Sequence, residues 1–205
     1  MTAFDDALTV ASDKPRKDAL IEAASHLFRS KGYERTSVRD LAQAVGIQSG
    51  SLFYHFRSKS EILEAVMAHG IGEITRNARS ALHGIQGAKP RLLTLLRVHL
   101  TALLGSQQHA LEVSLYEWDS LDLQARQRIV SLRDEYELIW QQVLDDAVRS
   151  GLISQDTKLL RKMLLGSLNW TVQWFQPSGD LSIDQLAERM LALLIREPLI
   201  PSCAR

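Results

Sequence analysis

A single cysteine, Cys203, is the whole thiol inventory of this 205-residue chain. One thiol closes no internal disulfide and is too few for a zinc site, which points to a reducing compartment. Long apolar runs are missing as well. The longest near the end, Met190 to Ile195, is far too short to cross a bilayer. The N-terminus, Met-Thr-Ala-Phe-Asp-Asp, is acidic with no apolar segment behind it, so no secretory signal is expected. No stretch alternates polar and apolar residues between hairpin turns, which argues against strands. There is no nucleophile motif, no phosphate-cradling glycine loop and no His/Glu set at strong metal spacing. The six histidines are scattered, and Glu22 and His26, four apart, read as packing and surface. The expectation is a cytoplasmic protein with no catalytic residue, no metal, no cofactor and no membrane association.

What is present is a helical pattern throughout and an uneven charge distribution. Net charge is zero, yet residues 14–59 carry nine Lys/Arg against four Asp/Glu, while residues 60–205 are slightly acidic. Such a basic block is either a polyanion-binding module or an ordinary charged surface. Leu20, Ala23, Ala24, Leu27 and Phe28 recur at three-four spacing after Pro15, which suits a helix's first turn. Thr36-Ser37 cap a short helix that Gly46 ends, and a third runs from about Ser49 to His55. Further helices are expected from Ser58 or Lys59 to near Gly84, Arg91–Leu104, Ala110–Trp118, Asp122–Arg149, Asp156–Phe175 and Ser182–Arg196. The fifth and eighth are apolar nearly all round and are expected to be buried. The fold class is therefore all-α, with about nine helices. The segments are a flexible arm at 1–13, a first domain at 14–60 and a second at 61–205.

The stretch from Thr36 to Lys59 reads as two short helices joined by a tight turn at Val45-Gly46-Ile47. Leu41, Val45, Ile47, Leu52 and Phe56 point into a small core. Gln48, Ser49, Ser51, Phe53, Tyr54 and His55 are left outward, as on a helix that enters a major groove. The alternative for Tyr54-His55-Phe56 is a plain aromatic core cluster, and Phe56 takes that role. The segment resembles the N-terminal domain of the TetR family of bacterial regulators. The likeness runs from Lys14 to about Met67, through Ala24 to Phe28, Gly32-Tyr33, Thr36-Ser37, Gly50, Leu52, Tyr54-His55-Phe56 and Lys59. It implies a double-stranded DNA operator as partner. Thr36, Ser37, Tyr54, His55 and Lys59 would touch phosphates. Gln48, Ser49 and Ser51, with Arg39 and Phe53, would meet base edges. Position 53 is Phe where the family usually has Tyr. Position 48 is Gln where Ser commonly caps the helix, so Ser49 is expected to cap.

The same resemblance implies a homodimer, with Leu164, Leu168, Leu186, Met190 and Leu193 in a four-helix interface, and a small-molecule effector. The stretch from Leu165 onward is similar to the eighth helix of TetR regulators that respond to acyl-CoA thioesters. Asn169, Trp170 and Trp174 stand as in that branch, and Gln173 replaces an often basic residue. As helical neighbours, Trp170 and Trp174 share a face beside Asn169 and Gln173. They suit either an amphipathic ligand or core packing. Other candidate ligand contacts are His99, Leu103, Tyr116, Trp118, Arg133, Tyr136 and Trp140, with His99 alternatively a satisfied core histidine. The expected function is a repressor released from a palindromic operator by an acyl-CoA-like effector. The alternatives are a sensor of a hydrophobic drug or metabolite, and a structural DNA binder without an effector.

Overall fold

A computed structural model describes residues 3–105, 109–154 and 156–195, with side chains from residue 17 onward. Cys203 and the expected end of the last helix at Arg196 lie outside the described residues. Among those described there are nine α-helices, two short 3₁₀ turns and no strand. The helices are α1 (Ala3–Lys31), α2 (Val38–Ala44), α3 (Ser49–His55), α4 (Lys59–Leu82) and α5 (Ala88–Leu104). They continue with α6 (His109–Tyr116), α7 (Leu123–Arg149), α8 (Thr157–Trp170) and α9 (Ile183–Leu194). Helix α1 begins upstream of Pro15, where the sequence pattern starts it. An internal proline forfeits one intrahelical hydrogen bond but need not end a helix.

The chain forms two compact units. The first holds α1, α2, α3, the part of α4 up to Gly72, α6 and α7 as far as Arg133. Its core is the predicted apolar stripe of α1 (Leu20, Ala24 and Phe28) closed by Leu41, Leu52, Phe56, Leu63 and Met67. Each fully buried Leu or Phe contributes roughly 1.5–3 kcal/mol, so this small module is held mainly by side chains donated from α1 and α4. Helix α4 approaches α6 closely at Gly70, where an added Cβ would stand 2.8 Å from the backbone of Ala110 and Leu111.

The second unit holds the remainder of α4, α5, the rest of α7, α8 and α9. Helix α5 is central there, as its near-continuous apolar pattern predicts: Leu92, Leu95, Leu96, Leu100 and Leu103 are all buried. It packs on α9 and α8, and Arg97 pins α9 through Asp184 at 3.0 Å and Glu188 at 2.9 Å. The expectation for α8 is corrected. It is buried along one stripe only, at Leu164 and Leu168, while Leu159, Met163 and Trp170 are exposed. It also stops at Trp170 rather than Phe175, because the chain tightens into a 3₁₀ turn over Thr171–Gln173. Thr171 is buried there, and its hydroxyl donates to the Leu168 carbonyl at 2.6 Å, competing with continued helix.

Candidate DNA interface and effector cluster

The turn between α2 and α3 is built from local rules. Ser37 caps α2: its Oγ accepts from the Asp40 amide at 3.1 Å, and the Asp40 carboxylate accepts from the Ser37 amide at 2.8 Å. The Ser37 hydroxyl, then the Ser37 amide and Lys31, hold the Asp40 carboxyl down at about 2. Gly46 takes φ 69°, the left-handed conformation that lets the chain reverse. The Ile47 amide closes the turn on the Ala42 carbonyl at 3.0 Å. Leu41 and Leu52 anchor the two helices inward with no exposed surface. The opposite side presents Arg39, Gln48, Ser51, Phe53 and Tyr54, the last 77% exposed, with Ser49 and His55 half-buried. Gln48 is the N-cap of α3 and makes no side-chain capping bond; Ser49 sits one residue inside the helix and does not replace it.

Two of the residues expected at phosphates are occupied inside the protein. Thr36 is fully buried, and its hydroxyl donates to the Gly32 carbonyl at 2.8 Å. A hydroxyl spent on the backbone and shut from solvent reaches no phosphate, so Thr36 is a packing residue. The Lys59 ammonium donates to the carbonyls of Tyr33 at 2.9 Å and Thr36 at 3.1 Å, and lies 4.1 Å from the Tyr33 ring centre. Two of its three N–H groups are thus spent on the α1–α2 connection. Glu117 grips the same connection, accepting from the Tyr33 amide at 3.0 Å. Sequence reasoning missed Glu117, since no local pattern links residues so far apart in the chain.

The expected effector residues separate between the two units. In the second, His99 is buried and central. With Asn169 presenting its Oδ1 at 3.0 Å, the His99 Nε2 donates to it, and Nδ1 accepts from the Tyr136 hydroxyl at 2.9 Å. Tyr136 stacks on the imidazole, and Trp140 meets it edge-on. Burial pulls the His99 pKa down to about 4, with the Asn169 bond opposing, so the ring is neutral at pH 7. Burial likewise pushes the Tyr136 hydroxyl up. Leu103 is buried in the same unit. Three helices, α5, α7 and α8, therefore meet at one polar cluster inside an apolar unit. Trp170, Gln173 and Trp174 are exposed. Because α8 has ended, Trp174 is not one helical turn from Trp170 on a shared face, which corrects the expected pairing. Tyr116, Trp118 and Arg133 belong to the first unit. There the Arg29 guanidinium lies over Tyr116 at 5.4 Å and that of Arg133 over Trp118 at 5.2 Å. Arg133 is exposed while Tyr136 and Trp140 are buried, so the three do not form one surface of α7.

The residues expected at a partner chain divide too. Leu164, Leu168 and Leu186 are buried within their own chain, Met190 is half-buried, and Leu193 is 87% exposed. An apolar residue already packed inward is not available to a partner. The outward apolar positions of α8 are instead Leu159, Met163 and Trp170.

Two short helices across a glycine turn, polar side chains outward and a second helical unit make this a helix-turn-helix transcription regulator. Residues 20–66 match the family described as bacterial regulatory proteins, tetR family, and residues 86–197 match the tetracyclin repressor-like C-terminal domain. The chain belongs to the TetR family. It is similar to a crystal structure described as that of the superantigen PfiT, at 44% identity and a TM-score of 0.80, covering 89% of this chain and 97% of that one. The structure of AibR in complex with isovaleryl coenzyme A and operator DNA is 26% identical with a TM-score of 0.80, covering 87% and 97%. The transcriptional repressor KstR2 of Rhodococcus jostii (strain RHA1) is 27% identical over 185 residues, 88% of this chain and 89% of its own.

Proposed function

We propose that this chain is a dimeric repressor that leaves a palindromic operator when it binds an acyl-CoA-like amphipathic molecule. The observation that carries the DNA part is the outward row of Gln48, Ser51, Phe53 and Tyr54 on a turn whose helices are anchored by Leu41 and Leu52. Residues 14–60 bind DNA and 61–205 sense and dimerise. Tyr54, His55 and Ser37 set register on phosphates, while Gln48, Ser49, Ser51, Arg39 and Phe53 face bases. The resemblance to AibR, whose structure holds isovaleryl coenzyme A and operator DNA, supports the effector class. The effector contacts are His99, Leu103, Tyr136, Trp140 and Asn169, with Gln173 and Trp174 at the rim. The outward face of α8, with Leu193, meets the partner. The protein acts by binding alone, without catalysis, in the cytoplasm. Among the described residues no helix is long and apolar enough to cross a membrane.

The test starts from a duplex selected from a random pool by the purified protein. Binding should weaken steeply with salt. Short-chain acyl-CoAs, added to the complex and followed by anisotropy, should release the duplex. Release by hydrophobic drugs and by no acyl-CoA moves the effector to that other class. Binding that no added molecule relieves leaves a structural DNA binder. The 44% identity to PfiT favours a second reading, that the chain shares superantigen activity; absence of T-cell proliferation with purified, endotoxin-free protein removes it.

A further inference from the structure

The second unit carries an open cleft of about 330 Å³ outside the His99 cluster. It is lined by the end of α4, the start of α5 and the middle of α7: Arg79, His83, Arg91, Glu135, Leu138 and Ile139 are among its walls. Three features bear on what it takes. Arg91 brings a guanidinium whose buried Nε has no hydrogen-bond partner among the described residues; another of its nitrogens meets the Ile85 carbonyl at 3.5 Å. A buried guanidinium N–H left unpaired costs free energy that an incoming acceptor recovers. Arg79, another residue of the lining, pairs with Glu135 at 3.5 Å with both side chains about 60% exposed, a pair too wet to hold it strongly. Arg91 also lies in the first turn of α5, a helix end with no side-chain cap and no acidic residue, so the local field favours negative charge. Beside these donors, Leu138 is 55% exposed and Ile139 is buried, which gives one wall of the cleft an apolar face.

We propose that this cleft is a binding site for a small organic oxyanion, a phosphate or carboxylate on an apolar body. The oxyanion lies between Arg91 and Arg79 with the imidazole of His83 beside it, and the apolar body lies on Leu138. The site is independent of the operator and of the effector proposed for the His99 cluster, because none of those residues lines it. The test therefore uses the full chain without DNA. Hexyl phosphate and hexanoate serve as probes and hexanol as the uncharged control. Binding is read by calorimetry and by the ¹⁵N-correlated NMR signal of the Arg91 Nε–H. The expected result is saturable binding of an anionic probe that shifts the Arg91 Nε–H, with hexanol at least about tenfold weaker. Arg91→Gln, and separately Arg79→Gln, should each weaken the anion about tenfold while the helical circular dichroism stays unchanged. If neither anion moves the wild-type Arg91 signal, or hexanol binds as well as both, the proposal is wrong. It is equally wrong if a folded Arg91→Gln protein binds as the wild type does. Operator release by acyl-CoA bears on the other site alone, so failure of either reading is recognised separately.

Discussion

At the scale of single residues, burial changes what a familiar side chain does. His99 is neutral because solvent is excluded from it, and its unfolded form takes a proton near 6.5 while the folded form resists until about 4. The unfolded state therefore binds more protons in that window. Stability is complete above about pH 6.5, falls as pH drops toward 4 and levels off below. At pH 5 the loss from this residue is about 2 kcal/mol. His99→Gln should start lower at pH 7 yet lose less between pH 7 and 5; urea midpoints of the two proteins at both values check it. A variant with the same pH slope as wild type would remove His99 as the source. Lys59 shows the same principle in the DNA-binding unit. Its clamp on the carbonyls of Tyr33 and Thr36 means that Lys59→Met should lower the melting temperature and weaken every duplex alike. Gln48→Ala, exposed and without a cap bond, should leave melting unchanged and alter which bases are preferred. Selection from a random pool, run beside thermal melts, separates the two effects. Exposure of Gln48 and Tyr54 was legible from spacing. The inward commitment of Thr36 and Lys59 was not, since a lysine or threonine reads alike whether its partner is a phosphate or a distant carbonyl.

At the scale of elements, periodicity located the nine helices of the described residues and their order. It was weakest where two partners compete for one helix. Helix α8 carries apolar residues on two sides, and its sequence does not say which stripe serves the core. The structure gives Leu164 and Leu168 to the interior and leaves Leu159 and Met163 outward. Met163→Glu and Leu193→Glu should therefore yield folded monomers by sedimentation, with normal circular dichroism and lost operator binding. Leu168→Glu should lose the fold itself, because a carboxylate at a fully buried position is paired with nothing. A folded, monomeric Leu168→Glu protein would return that residue to the interface. The end of α8 was also misread, for a physical reason: Thr171 turns its hydroxyl back onto the helix, a competition that hydrophobic spacing does not register. The start of α5 was closer, with the helix beginning at Ala88 and Pro90 inside its first turn.

For the whole molecule, the division of labour was visible as a charge contrast between residues 14–59 and the rest. The compact units are cut differently, because α6 and the start of α7 pack with the DNA-binding helices. That packing brings Glu117 to the Tyr33 amide and Ala110 to Gly70. Gly70→Ala should raise the intrinsic preference of α4 for helix by about 1 kcal/mol. It should nevertheless lower the melting temperature, because a Cβ 2.8 Å from backbone atoms is relieved only by moving a helix. An unchanged or higher melting temperature would show that the two helices separate freely. The contact has a mechanical meaning. With the α6 backbone 2.8 Å from where a Cβ at position 70 would stand, there is no side chain to yield, so within the first unit α4 and α6 bear on each other there as a hard stop.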